Sequence, residues 1–270
     1  MIPGLRYLNG KLQGWRQRRA KQELMEQLKG TAEDIDPTDW HRSLTDPTSF
    51  YHHCFHYYLT RLPETLREHR RYFSSNQRGF GEDAFHSMWF LLLREFKPTN
   101  FLEIGVFRGQ TISLVTLCSQ LNSIPCKVWG ISPFSGAEDS VSKFPQGLDY
   151  YSDTLANFDH FKLPRPTLLR AYSTDPDAVA LIGSKQWDMI FIDGNHDYPI
   201  VKKDWEACAQ HIKPGGVIVM DDSGLMTSYR APLFSFAGWP GPSQIAKEVD
   251  RTRFKEIMQV GHNRVFQRIS

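Results

Sequence analysis

Residues Trp187–Asp222 read WDMIFIDGNHDYPIVKKDWEACAQHIKPGGVIVMDD, and this stretch decides the fold. Met189-Ile190-Phe191-Ile192 is a short apolar run that stops at Asp193-Gly194. Such a run, bounded by a turn signal, suits a strand buried on both faces of a parallel sheet. Pro199 stands where the first helical turn tolerates a missing N–H. Val201, Trp205, Cys208 and Ile212 follow at helical spacing, with Lys202, Lys203 and Glu206 between them. Lys213-Pro214-Gly215-Gly216 stops the helix. Val217–Met220 is a second apolar run and ends in Asp221-Asp222. Strand, helix and strand joined by a right-handed crossover make the two strands parallel. Both therefore end on one edge of the sheet, the edge at which open α/β sheets bind ligands.

Asp193, Asp221 and Asp222 would repel one another there unless positive charge sits among them. A hard divalent cation with oxygen ligands meets that need, and Mg²⁺ fits best. Aspartates also cap helices and fill solvated turns. Three at matched strand ends point instead to a site.

With 270 residues the chain can bury a sizeable core, as one elaborated α/β domain or a domain with an extension. A net charge of +2 argues against a nucleic-acid partner. No apolar run is long enough for a membrane span, and the N-terminus lacks the apolar centre of a secretory signal. Cys54, Cys118, Cys126 and Cys208 form no paired motif and read as reduced thiols of a cytoplasmic protein.

Residues 11–29 look helical and basic at the front. Arg16, Arg18, Arg19 and Lys21 read as a solvated face, although the helix leaves pairing with a second subunit, a homo-oligomer, open. Thr31–Thr48 carries two Asp-Pro steps and reads as a linker with turns. The next segment is dense in rings. His52, His53 and His56 lack a carboxylate or cysteine partner for a metal, so packed helix faces explain them better. Phe85, Met88, Trp89 and Leu92 recur at helical spacing up to Lys97-Pro98. Ahead of them, Arg78–Glu82 is either a connector or part of a rim over the site. His160, His211 and His262 look isolated and structural. Ser223–Trp239 is ring-rich and reads as a lid over a substrate site.

Phe101-Leu102-Glu103-Ile104 reads as a strand, Gly105–Gly109 as a tight turn and Thr111–Leu121 as a helix. Glycines at the head of a βα unit let backbone approach a ligand. The spacing is Glu-x-Gly-x-x-x-Gly, and Phe107 stands where a dinucleotide fingerprint has its second glycine. That disfavours NAD or FAD and leaves a cofactor without phosphates compatible.

Glu103-x-Gly105-x-x-x-Gly109, Asp193-Gly194-x-His196-x-Tyr198, Gly215-Gly216 and Asp221-Asp222 together resemble class I S-adenosylmethionine-dependent methyltransferases. The bacterial Asp-Gly-x-His-x-Tyr subgroup, similar to metal-dependent sugar and macrolide-sugar O-methyltransferases, is the best match. The resemblance covers roughly Phe80–Ile269. It implies an α/β Rossmann-like seven-stranded sheet with an antiparallel last strand, and the two β runs across Gly261-His262-Asn263 agree. A helical N-terminal extension over 1–75 and a methyltransferase domain over 76–270 follow.

The resemblance also implies site roles. Gly105, Gly109 and Glu103 would lie at the methionine part of S-adenosylmethionine, with Tyr172 and Ser173 at the adenine. Asp193 would serve both the cofactor and the metal. An acid at the end of the second strand usually holds the ribose. Ser132 stands there instead, with Glu138 and Asp139 as other candidates, a departure from the family pattern. Asp193, Asp221 and Asp222 would ligate Mg²⁺, and His196 would take a proton or order its loop. The implied activity is Mg²⁺-assisted O-methylation of a small hydroxylated metabolite or sugar unit. The alternatives are a non-catalytic cofactor-binding or accessory protein, or a cephalosporin-hydroxylase-like member of the fold.

Overall fold

The computed structural model describes residues 3–136, 139–142 and 147–270, with side chains from residue 12 onward. Helices α1 (Pro3–Gln27), α2 (Arg42–Thr45), α3 (Pro47–Thr60), α4 (Glu64–Ser74) and α5 (Asp83–Phe96) precede the first strand. Then β1 (Asn100–Ile104), α6 (Gln110–Leu121), β2 (Lys127–Ser132), α7 (Tyr150–His160), β3 (Thr167–Arg170) and α8 (Pro176–Gly183) alternate. The chain continues through β4 (Trp187–Ile192), α9 (Tyr198–His211), β5 (Ile212–Met220), α10 (Pro240–Glu248), β6 (Phe254–Val260) and β7 (Asn263–Arg268). The seven strands form one sheet in the order β3-β2-β1-β4-β5-β7-β6. Only β7 runs antiparallel to its neighbours. This is the sheet expected from the sequence.

Side chains alternate across a strand, so each apolar run feeds two cores. Met189, Phe191, Val217 and Val219 pack on one face with α3, α5 and α6 residues. Ile190, Ile192, Ile218 and Met220 pack on the other, with Val201, Trp205 and Cys208 of α9. Burial on both faces explains why β4 and β5 are continuously apolar rather than alternating.

The N-terminal helices belong to the first of these cores. Tyr51, Phe55, Tyr58, Leu62 and Leu66 share it with Trp89 and Phe101. The backbone N–H of Gln259 in β6 donates to Ser43 Oγ at 2.8 Å. Residues 31–48 are therefore not a linker, since Ala32, Ile35 and Trp40 are buried. The two Asp-Pro steps start helical turns: Asp36 accepts from Thr38 N, Asp46 accepts from Ser49 N, and each proline takes the first helical position. His53 and His56 bond the carbonyls of Glu33 and Gly30, fastening this segment to α3.

At the opposite edge from the site, buried Asp188 ties three strands together. It accepts from Thr99 N at 2.6 Å and Asn100 N at 2.9 Å, and pairs with Lys213 Nζ at 2.5 Å. Asp188→Ala removes the shared acceptor of these half-exposed donors and should cost about 2 kcal/mol, read by urea unfolding. A loss below about 1 kcal/mol would show that water replaces the carboxylate.

Candidate active site

The carboxyl ends of β1, β4 and β5 meet at a cavity of about 670 Å³. Its approach depends on two backbone contacts. Gly105 has φ +98°, and a Cβ there would run into the Asp193 carbonyl oxygen. Gly238 has φ +109°, and a Cβ there would strike the Asp222 carbonyl oxygen. Glycine is the residue that meets both demands at once. The strand hydrogen-bond pattern runs on into the site, with Gly105 N donating to Ile131 O and Asp193 N to Ile104 O, each at 2.9 Å.

Glu103, Gly105, Ser132, Tyr172, Ser173, Asp193, His196, Asp221 and Asp222 all line this cavity. Gly109 does not. It starts α6 with φ +81° and faces Thr154. Ser132 is buried, and its Oγ accepts from Phe134 N at 3.2 Å. Tyr172 is exposed, and Ser173 lies beside Asp204, whose carboxyl burial lifts to about 6. Of the other acids considered for a ribose, Glu138 lies outside the described residues and Asp139 turns to His196.

The three aspartates are neutralised from within. Burial, then the charge of Asp221, pushes the Asp193 carboxyl well above its ordinary range, and the two share a hydrogen bond. Burial is the largest influence on Asp221 too, but the charge of His262 and the surrounding hydrogen bonds together outweigh it and hold Asp221 below its ordinary value. Asp222 adopts a left-handed backbone, φ +51°, a conformation aspartate tolerates better than most residues.

His196 lies between two carboxylates. Its Nδ1 is 2.6 Å from Asp139 Oδ2 and its Nε2 is 2.9 Å from Asp222 Oδ2. Burial alone would lower its pKa, yet Asp222 and then Asp139 outweigh that and raise it. Its backbone N–H also donates to Asp139 at 3.0 Å, so the ring is held in one orientation.

His262 was expected to be isolated, and the structure corrects this. Its Nε2 lies 3.2 Å from Asp221 Oδ1 and 3.6 Å from Asp222 Oδ1. Burial alone would lower its pKa, but Asp221, Asp222 and Glu82 together outweigh that and lift it to about 10. The available signal was topological: an antiparallel β7 begins where β5 ends, which places the tip of its hairpin beside Asp221. The donor atoms of Asp221, Asp222 and His262 lie within 4.8 Å of one another, a spacing that fits a metal ion.

Segments flanking the β1–β5 region complete the walls. Phe85, His86 and Trp89 come from α5, and Phe236 and Trp239 from the loop after β5. Glu82 accepts from Tyr51 Oη at 2.6 Å and Ser235 Oγ at 2.8 Å, joining the N-terminal helices to that loop. The turn Arg78–Glu82 is part of the rim, since Gly79 to Glu82 line the cavity.

The sheet order and this site define a class I S-adenosylmethionine-dependent methyltransferase fold. Residues 102–223, a little under half of the chain, match the family model of a methyltransferase domain. An O-methyltransferase from Bacillus cereus, solved with S-adenosylhomocysteine, is similar at 15% identity and TM-score 0.51, over 77% of this chain and 92% of that one. A Podospora anserina methyltransferase with the same ligand is similar at 15% identity and TM-score 0.53, over 77% and 89%. A Geobacter sulfurreducens methyltransferase is similar at 13% identity and TM-score 0.51, over 89% and 100%. An uncharacterized protein of Acanthamoeba polyphaga mimivirus is 24% identical over 124 residues, 45% of this chain. The chain spans about half the length of that curated relative.

Glu103 sits at the cavity floor with Oε2 buried and unpartnered. Burial pushes its pKa from 4.5 up to about 8. Between those values the unfolded chain loses this proton and the folded chain keeps it, so stability falls as pH rises. A tenfold difference in proton affinity between the two states is worth about 1.4 kcal/mol. Glu103→Gln should therefore gain on the wild type by a few kcal/mol between pH 5 and pH 8, read by ligand-free melts. Parallel pH profiles for the two proteins would refute the buried, protonated state.

Proposed function

We propose that the protein transfers a methyl group from S-adenosylmethionine to a hydroxyl of a small molecule, assisted by a divalent cation. One observation carries the reading: a single cavity runs from the turn at Gly105 to the aspartates at the ends of β4 and β5. Its volume suits a drug-sized ligand pair. The similar structures solved with S-adenosylhomocysteine support the same choice of donor.

Gly105 leaves the backbone bare where the methionine part would lie, and Glu103 offers an unpartnered carboxyl oxygen beside it. Ser132, Tyr172 and Ser173 form the adenosine side of the wall. Ser132 cannot replace an acid in full, because its Oγ already accepts from Phe134 N. A glutamate at the cavity floor can take over part of that acceptor role.

The residues fit a cation, since Asp221 Oδ1 is buried without a hydrogen-bond partner beside Asp193 and Asp222. Mg²⁺ is the ion expected from an all-oxygen set, and a bound cation would lower the pKa of a substrate hydroxyl and fix its position. The substrate oxygen forms a bond to the methyl carbon as the carbon–sulfur bond breaks, and the hydroxyl proton leaves to a base. His196 serves as that base once Asp222 turns toward the bound substrate, because Asp139 keeps Nδ1 engaged and Nε2 becomes free.

The aromatic walls from α5 and the loop after β5 enclose the acceptor and exclude water. Residues 1–75 act as a helical cap on the domain. Among the described residues no helix is long and apolar enough to cross a membrane. Free thiols at Cys54, Cys118, Cys126 and Cys208 agree with a cytoplasmic setting.

Titration calorimetry should show S-adenosylmethionine binding to metal-supplemented protein, with S-adenosylhomocysteine released over a panel of catechol and sugar acceptors. His196→Asn should lower kcat by about a hundredfold or more while leaving donor affinity within a factor of about three. A wild type that binds no donor would defeat the proposal.

A further inference from the structure

The β6–β7 hairpin brings one more donor to the aspartates. Gly261 has φ +60°, and a Cβ there would press on the Phe85 ring at 2.9 Å. β7 pairs antiparallel with β5, Arg264 opposite Met220, so the hairpin tip falls at the carboxyl end of β5. His262 on that tip is 7% exposed. Its Nδ1 lies 3.0 Å from the Phe236 carbonyl oxygen. A carbonyl only accepts, so Nδ1 carries a hydrogen and donates it there. Nε2 then faces Asp221 and Asp222.

Nε2 is aimed between the two carboxylates rather than at one of them. It is 3.2 Å from Asp221 Oδ1 and 3.6 Å from Asp222 Oδ1. Despite that closeness, Asp221 Oδ1 is buried with no hydrogen-bond partner, because the ring is not aligned to donate to it. Neighbouring donors around one ion, each at about 2.1 Å from it, stand about 3 Å apart. The two spacings from His262 Nε2, 3.2 and 3.6 Å, are already close to that. A histidine whose far nitrogen is fixed by a backbone carbonyl is the usual arrangement for a metal ligand.

We propose that His262 Nε2 ligates the cation together with Asp221 and Asp222, making a mixed nitrogen–oxygen site that selects Mn²⁺ or Co²⁺ over Mg²⁺. Imidazole suits first-row transition ions, whereas Mg²⁺ favours oxygen donors. Asp193 is then no ligand. Its own donor atoms stand outside the group of three. This inference rests on the cation-assisted reading above and changes both the donor set and the ion.

The test uses the full chain, stripped with a chelator and reloaded with Mn²⁺. Pulsed electron paramagnetic resonance should show coupling to a single imidazole nitrogen. The coupling should vanish in His262→Asn and persist in His196→Asn. Competition with Mg²⁺ should show the Mn²⁺ preference falling by about ten- to a hundredfold in His262→Asn. Melting curves and S-adenosylmethionine titration of each variant report folding independently. If His262→Asn does not fold, coupling retained in His196→Asn carries the assignment. Bound Mn²⁺ without nitrogen coupling, or coupling unchanged in His262→Asn, would overturn it. So would a wild type that binds donor and transfers methyl with no metal, His262 then acting as a fixed positive charge; that outcome keeps the methyl-transfer reading. Absent donor binding would remove both.

Discussion

Three carboxylates share the ends of two adjacent strands, and their mutual repulsion is the constraint the site is built around. Burial sharpens it, because a charge out of water is costly unless paired. The chain meets it in three ways. Burial and the neighbouring Asp221 push the Asp193 carboxyl well above its ordinary range, toward the neutral form. His262 places an imidazole against Asp221 and Asp222. His196 sets another between Asp222 and Asp139. Two imidazoles therefore already stand among the aspartates, and a cation would enter a site they help to arrange rather than a bare acidic hole.

The balance requires the strand ends to lie close together, and the backbone enforces this. β1 reaches β4 through Gly105, where no side chain would fit against the Asp193 carbonyl. The loop after β5 reaches Asp222 through Gly238 by the same means, and Trp239 N donates to the Asp222 carbonyl at 2.8 Å. Sheet geometry, glycine conformation and carboxylate chemistry are thus one arrangement. Moving any strand end by one residue would turn its acid to the other face of the sheet.

Legibility in the sequence followed the range of the interactions. The apolar runs of β4 and β5 could be read because burial on both faces leaves a local pattern, and the turns at Gly105 and Asp193 because they interrupt those runs. The partners of the aspartates could not. Asp139 meets His196 across 57 positions, and no local spacing announces it. His262 looks like a lone histidine in a turn until the register of β7 against β5 is known. Residues 31–48 misled for a different reason. An Asp-Pro step starts a capped helical turn as readily as it punctuates a linker, and the deciding signal was the apolar Ala32, Ile35 and Trp40 around the first step.

The same division by range separates the two halves of the proposed reaction. The segment matching the methyltransferase domain, 102–223, contains the Gly105 turn, Ser132, Tyr172 and the three aspartates. The remaining wall comes from outside it: Glu82, Phe85, His86 and Trp89 before, Phe236, Trp239 and His262 after. Glu82 binds these flanks to each other through Tyr51 and Ser235, so the wall on that side closes only when the N-terminal helices and the post-β5 loop are both in place. A donor common to a whole fold needs only the shared segment, whereas an acceptor peculiar to one enzyme must be recognised by what is added to it. On the proposed function, specificity for the acceptor resides in the two flanks, and α5, alone of the described helices before β1, lines the cavity while the others hold it in place.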